Sequence, residues 1–335
     1  MKLYEKIKKI IREYYISILI VMISTIVFVI PFPYYINAPG GLIDMSKRIQ
    51  LDDAYESKGS INMAYVTELK ATIPTLIVAY FKKNWDIIKM SDVKYDNQTI
   101  AEMNFRDRML LKEAGDNAII VAYNKLGKTA KIINQDLVVT YVDEKANTDL
   151  AVGDIILEIE GQKVNNYDSL VGVIQGYEEN DVINIKVKND DKIINRKATL
   201  YYDYDRVVVG IVLTPDLTLE TNPKIDLKFE RSESGPSGGL MTAIAIYDSL
   251  TKEDLTKGKT IVGTGTIDVD GNVGSIGGVE YKLRGAIKEK ADVFLVPSGD
   301  NYNDAMKLKE ESNFDIKIVS INTFDQAIKY LEEQL

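Results

Sequence analysis

The sequence contains no histidine and no cysteine. The first absence removes every Ser-His-Asp and Cys-His catalytic arrangement. The second removes thiol nucleophiles, disulfides and iron–sulfur clusters. Together they remove zinc sites of the usual His/Cys kind. Any active site must therefore run on Ser, Thr, Lys, Tyr, Asp or Glu. Positive charge is also short: 41 Lys and Arg face 50 Asp and Glu, a formal net charge of −9. That balance argues against nucleic acid as a partner. Low-complexity segments and short repeats are missing as well. What remains is 335 residues, 45% hydrophobic and 27% charged. The composition is that of neither a disordered chain nor a polytopic membrane protein, and at roughly 150 residues per domain the length predicts about two domains plus extras.

One long hydrophobic run stands out. Lys2, Lys6, Lys8, Lys9 and Arg12 form a basic tip against Glu5 and Glu13, and Ile16 to Phe32 follow without a charge. Counted from Tyr14 to Pro33, the run is long enough for about 30 Å of hydrocarbon, with tyrosines near both interfaces. A buried core helix rarely runs so long without a polar face. A signal peptide needs small residues before its cleavage point, and Ile36-Asn37-Ala38 fits that poorly. The expectation is an uncleaved single-pass anchor in the cell membrane. Basic residues before the span predict the N-terminus inside and the rest, from about residue 34, outside.

After a turn-rich exit at Asn37-Ala38-Pro39-Gly40-Gly41, Ile61 to Leu69 reads as a strand. Thr72 to Phe81 is apolar and helical, with Pro74 in the first turn. Thr99 to Asn124 reads as a helix broken near Gly115. Residues 130–214 look like a run of short strands. Within them, Leu150 and Gly153-Asp154 lead into an alternating strand, Ile155 to Ile159, and a Glu160-Gly161 turn before Val164. A helix over Tyr167 to Tyr177 and a strand over Val182 to Lys188 follow. As bare physics this is a β-turn-β unit. The order of its parts resembles a PDZ domain, which would imply binding of extended peptides by strand addition. The glycine-rich carboxylate-binding loop of that family is not evident before Leu137, and the nearest substitute is Val209-Gly210-Ile211.

From residue 224 strands and helices alternate in an α/β manner. The expected strands are Lys224–Arg231, Thr260–Ile267, Asp292–Pro297 and Ile316–Val319. The expected helices are Ser237–Leu250, Glu280–Lys290, Tyr302–Lys309 and Thr323–Gln334. Gly235-Pro236-Ser237-Gly238-Gly239 satisfies the G-x-S-x-G nucleophile pattern. A turn alone would explain it, but an almost wholly apolar helix follows, through Leu240, Met241, Ala243, Ile244, Ala245, Ile246 and Leu250. Ser237 would sit at the N-terminus of that helix, where free N–H groups favour a developing oxyanion. Without histidine, its natural base is a lysine. Lys282 follows Ile276-Gly277-Gly278-Val279-Glu280-Tyr281. It borders an apolar helix face of Val279, Leu283, Ala286 and Ile287, in a first turn where dipole and burial both oppose a positive charge. A surface lysine extending to water is the plain alternative.

A GPS-x-G nucleophile followed at this distance by G-G-x-x-x-K resembles the Lon-type serine–lysine peptidase domain. Gly263-Thr264-Gly265-Thr266-Ile267 is similar to that family's T-G strand, and Asp270-Gly271-Asn272-Val273 to its hairpin. The resemblance covers about residues 218–335. With the anchor and the PDZ-like region, the arrangement resembles the YlbL-type membrane-anchored Lon-like proteases of Gram-positive bacteria. It implies Ser237 as nucleophile, Lys282 as general base and Thr264 as a polar neighbour of the lysine, with Pro236 and Gly238 supporting the oxyanion site. Ser234 stands where ATP-dependent members have Asp, so no acidic role carries over there. Glu280 stands where a basic residue is common.

Other motifs fail. Gly127-Lys128-Thr129 and Gly258-Lys259-Thr260 end like a P-loop, but Ala122 and Glu253 occupy the place of its first glycine. Ser249-Leu250-Thr251-Lys252 matches S-x-x-K without its companion motifs and reads as a helix end. Asp268-Val269-Asp270-Gly271 reads as a hairpin turn rather than a calcium loop. The expected fold class is a mixed α/β (α+β) Lon-type proteolytic domain plus a mainly-β PDZ-like domain, after one N-terminal transmembrane helix. The expected divisions are 1–36 for tip and anchor, 37–124 for a segment packing with the protease domain, 125–214 for the PDZ-like domain and 215–335 for the protease. The expected activity is that of an ATP-independent serine endopeptidase without cofactor or metal. Its partners would be peptide or protein substrates and the membrane, with no nucleic acid and no ATP; self-association is left open. The rival is a catalytically silent scaffold displaying the PDZ-like domain.

Overall fold

The computed structural model describes residues 2–335. The chain opens with an exposed helix, Lys2–Phe28, whose residues Leu3–Phe28 are long and apolar enough to cross a membrane. Tyr14, at the expected start of the apolar run, has non-helical dihedrals and marks a kink. The helix stops short of the expected end at Phe32 because Pro31 and Pro33 bracket that residue and supply no N–H. Phe32 instead donates its N–H to the carbonyl of Ala71 at 2.7 Å.

A mixed sheet of six strands organises most of the rest, in the order Lys317–Ile321, Val293–Pro297, Thr260–Gly263, Ser60–Lys70, Tyr34–Asp44, Asp86–Lys89. Three strands come from the first hundred residues and three from the last eighty. The two sets join where Ser60–Lys70 runs parallel to Thr260–Gly263, with Ile61 opposite Ile261 and Met63 opposite Gly263. Alternate residues of these strands serve the two faces. Ile61, Met63, Ile261 and Leu295 bury against the helices Ile100–Lys125, Gly239–Ser249 and Phe324–Glu333. Ala64, Val262, Phe294 and Val296 bury against Val279–Lys288 and Asp300–Ser312. Val293–Pro297 is buried throughout, as a parallel strand covered on both faces must be.

The helix Ile100–Lys125 begins at a capping box. Glu102 N–H donates to Thr99 Oγ1, and Thr99 N–H donates to the Glu102 carboxylate at 2.8 Å. It runs unbroken through Gly115, against the expectation of a break. Gly115 serves packing there: a Cβ would lie 2.9 Å from Leu227 Cδ1.

Between this helix and Ser237 lies a second sheet, wholly antiparallel along its main path: Ile211–Asn222, Thr129–Val142, Ile155–Ile159, Val182–Asn189, Lys192–Thr199, Asn147–Thr148. It has its own core, including Leu137, Ile156, Ile159, Ile185 and Leu200, with the short helix Tyr167–Ile174 packed on it. The Gly-Asp pair earns its place in the sequence physically. Gly153 has φ +94°, and the buried Asp154 carboxylate accepts from Ala151 N–H at 2.8 Å and from Arg196 Nε at 3.0 Å. Thr129 and Asn222 are register partners, so the chain enters and leaves this module at one place. Its last strand crosses position 214, the expected boundary.

Two expected strands differ from the observed ones. In place of Lys224–Arg231 only Ile225–Leu227 is extended, pairing with Ile49–Leu51. Beyond it Arg48 binds Glu230 and Glu233 at 2.8 and 2.6 Å and holds the chain in a turn. The expected strand Thr260–Ile267 divides into Thr260–Gly263 and Thr266–Ile267. The latter forms a hairpin with Val273–Gly274, its turn closed by Asp268, which accepts from Asp270 N–H and Asn272 N–H.

Candidate active site

Ser237 is partly exposed, in an irregular segment that leads into Gly239–Ser249. No strand immediately precedes it, so it is not on a strand–turn–helix elbow. Its position is set instead by three backbone bonds. Gly235 N–H donates to the Asp107 carbonyl at 2.8 Å, Gly265 N–H donates to the Ser237 carbonyl at 2.8 Å, and Leu240 N–H donates to the Gly265 carbonyl at 3.1 Å. The helix that follows is buried on every side, with Leu240, Met241, Ala243, Ile244 and Ile246 all inaccessible. Its N-terminus is therefore fixed. Gly238 faces Met63, and a Cβ on Gly238 would lie 2.0 Å from Met63 Sδ. The Ser237 turn thus rests directly on a strand from the N-terminal part of the chain.

Lys282 lies on the helix Val279–Lys288, reached through Gly278 in the left-handed region at φ +68°. A side chain on Gly278 would meet Val66 Cγ2 at 2.9 Å, so conformation and space both call for glycine. The lysine does not merely border the apolar face: it is 4% exposed. Burial lowers its pKa from 10.5 to about 8. Its Nζ donates to Thr264 Oγ1 at 3.0 Å, and Thr264 Oγ1 donates to the Ser237 carbonyl at 3.0 Å. Thr264 is fully buried and sits at the break that divides the expected strand. The structure therefore brings Ser237, Thr264 and Lys282 together, from three separate elements.

The remaining expected site residues take different parts. Pro236 has no N–H to offer an oxyanion; its carbonyl accepts from Gly239 N–H at 3.2 Å, tightening the turn. Among the described residues, the N–H groups of Ser237 and Gly238 meet no protein acceptor. They are placed, as a pair at a helix N-terminus, to receive negative charge on a carbonyl oxygen. A cleft of about 290 Å³ opens beside Pro236, lined by Leu110, Glu113, Asn117, Ile267 and Val273 among others. A larger cleft, about 480 Å³, lies between Leu111, Ile119, Leu219 and Phe229; neither Ser237 nor Lys282 lines either cleft, and only the smaller one reaches Pro236. Met63, Val66 and Asp107 support the site without any local sequence signal, because each reaches it through pairing or packing with distant residues.

In the β-rich module the outer edge belongs to Ile211–Asn222. Two of its carbonyls are already taken: Tyr167 donates its hydroxyl to Leu213, and Lys112 of the long helix donates Nζ to Leu217 at 2.8 Å. Lys112 also binds Asp116 and Asp216, at 2.8 and 2.7 Å, tying the module to the helix whose Asp107 carbonyl holds Gly235 N–H.

Residues 231–333 match the Lon protease (S16) C-terminal proteolytic domain. The Lon protease of Campylobacter concisus is 34% identical over 97 residues, which are 29% of this chain and 12% of that protein. The Lon protease of Metamycoplasma arthritidis is 33% identical over 101 residues, 30% of this chain and 12% of that protein. The aligned part thus spans about one eighth of these relatives' length. Among solved structures, the PDZ domain of an SdrC-like protein from Listeria innocua is similar, at 25% identity and a TM-score of 0.22, covering 23% of this chain and 92% of that one. The corresponding domain from Listeria monocytogenes stands at 23% identity and a TM-score of 0.23, covering 25% and 92%. The matched proteolytic residues hold only three of the six strands of the main sheet; Tyr34–Asp44, Ser60–Lys70 and Asp86–Lys89 lie outside them.

Proposed function

We propose that this chain is a membrane-anchored serine endopeptidase, of the YlbL-type Lon-like kind, in which Ser237 attacks and Lys282 is the base. The observation that carries the reading is Lys282 itself. A buried ammonium without a carboxylate partner is costly to keep, and a fold tolerates it where the neutral amine has work to do. Its pKa of about 8 leaves a useful fraction neutral near physiological pH. The neutral amine takes the Ser237 proton as the hydroxyl oxygen bonds to the substrate carbonyl carbon. The oxyanion so formed is received by the N–H groups of Ser237 and Gly238. The lysine then returns its proton to the leaving amine, and water completes hydrolysis by the same route. Thr264 orients the amine and holds the serine backbone still.

The substrate is an extended chain. Beyond Met63 the strand Ser60–Lys70 has a partner in the sheet on one side only, because Thr260–Gly263 ends there. A peptide laid along that side passes between Val66 and the nucleophile turn and pairs with the strand. No nucleotide step belongs to this reading: Gly127-Lys128-Thr129 and Gly258-Lys259-Thr260 both lead into strands, whereas a phosphate-binding loop leads into a helix. The module 129–222 selects or presents substrates, and the helix Lys2–Phe28 anchors the chain with its basic tip inside and the site outside the cell membrane.

The test is covalent labelling of the full chain in detergent with a fluorophosphonate. Labelling of Ser237, identified by peptide mass and lost in Ser237→Ala and Lys282→Met, is the expected result. A folded chain that neither labels nor cleaves any peptide would instead support a silent scaffold.

A further inference from the structure

The helix Ile73–Phe81 (sequence IPTLIVAYF) carries no charge, and its only side-chain polar groups are the hydroxyls of Thr75 and Tyr80. A surface helix of a water-soluble domain shows one apolar stripe. Here one stripe, Leu76 and Ala79, already packs against Ile36, Leu69 and Trp85. The opposite side is apolar too: Ile77, Val78, Tyr80 and Phe81 are 55%, 42%, 81% and 79% exposed. Tyr80 and Phe81 stand edge to face, 5.3 Å between ring centroids.

The place of this helix says what covers it. It begins just after Ala71, whose carbonyl receives the Phe32 N–H where the chain leaves the apolar N-terminal helix, and Ala71 N–H returns to the Tyr34 carbonyl at 3.1 Å. Lys2–Phe28 and Ile73–Phe81 are themselves in contact. The exposed Lys82 and Lys83 follow directly at its C-terminal end. An apolar face continuous with a membrane span, edged by aromatic rings and lysines, has the build of a helix lying in the lipid headgroup boundary.

We propose that Ile73–Phe81 is a second membrane element, lying in the outer-leaflet interface with Ile77, Val78, Tyr80 and Phe81 in the acyl region and Lys82 and Lys83 at lipid phosphates. It rests on the reading of Lys2–Phe28 as an anchor. It adds a fixed orientation: Tyr281, one residue before Lys282, donates its hydroxyl to Asp86 in the strand that follows. The base-bearing helix is therefore tied to the lipid-bound segment, and the site works close to the bilayer surface, on chains that lie at or emerge from it.

The sequence has a single tryptophan, Trp85, beneath this helix, so a probe is easily moved. The full chain carrying Trp85→Phe and Tyr80→Trp is reconstituted in nanodiscs of phosphatidylcholine and phosphatidylglycerol, with or without bromine at acyl carbons 6 and 7. The expected result is that the new tryptophan loses most of its emission in brominated discs and is restored when Ile77→Ser and Phe81→Ser are added, with peptide cleavage unchanged. Equal emission in the two kinds of disc, from protein that elutes with the discs, overturns the proposal. So does quenching that survives the two serine substitutions. A chain that fails to elute with discs at all overturns the anchor reading, and the proposal with it, and is told apart by that elution.

Discussion

Thr264 Oγ1 links Lys282 to the backbone of Ser237: it accepts from Lys282 Nζ at 3.0 Å and donates to the Ser237 carbonyl at 3.0 Å. One hydroxyl thereby sets the amine's direction and holds the Ser237 backbone. Thr264→Val removes both bonds while keeping the shape of the side chain. Cleavage should fall on the order of 100-fold. Losing an acceptor for the charged amine also lowers the lysine pKa further, so the midpoint of the pH–rate profile should move down. Thr264→Ser should restore most of the rate. A variant as active as the parent, with an unchanged midpoint, would remove Thr264 from the mechanism.

The pH dependence follows from burial of Lys282. Its pKa is pushed down to about 8, and only the neutral amine is a base. kcat/KM should rise with pH through that region and level off above it. Lys282→Arg should be inactive at every pH, because arginine keeps its proton. A flat profile in the parent would mean another base.

Stability should rise with pH in the same direction as activity. The lysine binds its proton more weakly in the folded chain than in the unfolded one, where 10.5 applies. The unfolded state therefore holds more protons between about pH 8 and 10.5, and this group makes folding more favourable as pH rises through that window. At pH 7 the folded chain carries nearly the full cost of a buried charge. Lys282→Met should raise stability by about 2 kcal/mol at pH 7, and the gain should shrink above pH 10. Thermal unfolding of the detergent-solubilised chains at the two pH values checks both sign and trend.

Gly238→Ala should be inactive although its backbone suits alanine (φ −95°), because the new methyl meets Met63 Sδ at 2.0 Å. Displacing the turn by an ångström can cost on the order of 100-fold. Adding Met63→Ala should restore a measurable part of the rate. Failure of the pair to recover, with both chains folded, would place the fault elsewhere.

The β-rich module should be removable. Its core is separate from the main one, and Gln135 and Leu217 are register partners at its base. Replacing residues 136–216 with an Asn-Gly turn should leave a folded chain that cleaves short peptides near the parental rate. It should lose the parent's choice among protein substrates. Unchanged selection would deny the module that role.

The elements that carry the proposed site were legible in the sequence because they are written in local patterns. Gly235 to Gly239, followed by an apolar helix, announces the turn that holds Ser237, and Gly277-Gly278 announces the helix of Lys282. The absence of histidine narrows the choice of base. Burial of Lys282 was less legible: the periodicity places it at the rim of the apolar face, whereas Ala64 and the strand Tyr34–Asp44 close over that helix from elsewhere. The break at Thr264 was hidden because it is made by bonds to distant residues: Gly265 N–H and Thr264 Oγ1 to the Ser237 carbonyl, and Leu240 N–H to the Gly265 carbonyl. The helix through Gly115 shows the reverse error. Glycine weakens a helix by about 1 kcal/mol, but close approach to Leu227 makes it the residue that fits.

The pairing of Ser60–Lys70 with Thr260–Gly263 joins residues two hundred positions apart, and this bears on how the protein matures. A chain emerging in order can assemble Tyr34–Asp44, Ser60–Lys70 and Asp86–Lys89 early, but that half-sheet waits with an unfilled edge until the last third of the sequence arrives. Met63 cannot support Gly238, nor Val66 bound Gly278, before then. The proposed peptidase is accordingly unarmed throughout its own synthesis. The step that completes the fold is also the step that brings Lys282 beside Thr264, so a half-made chain is spared the risk of cutting its neighbours or itself.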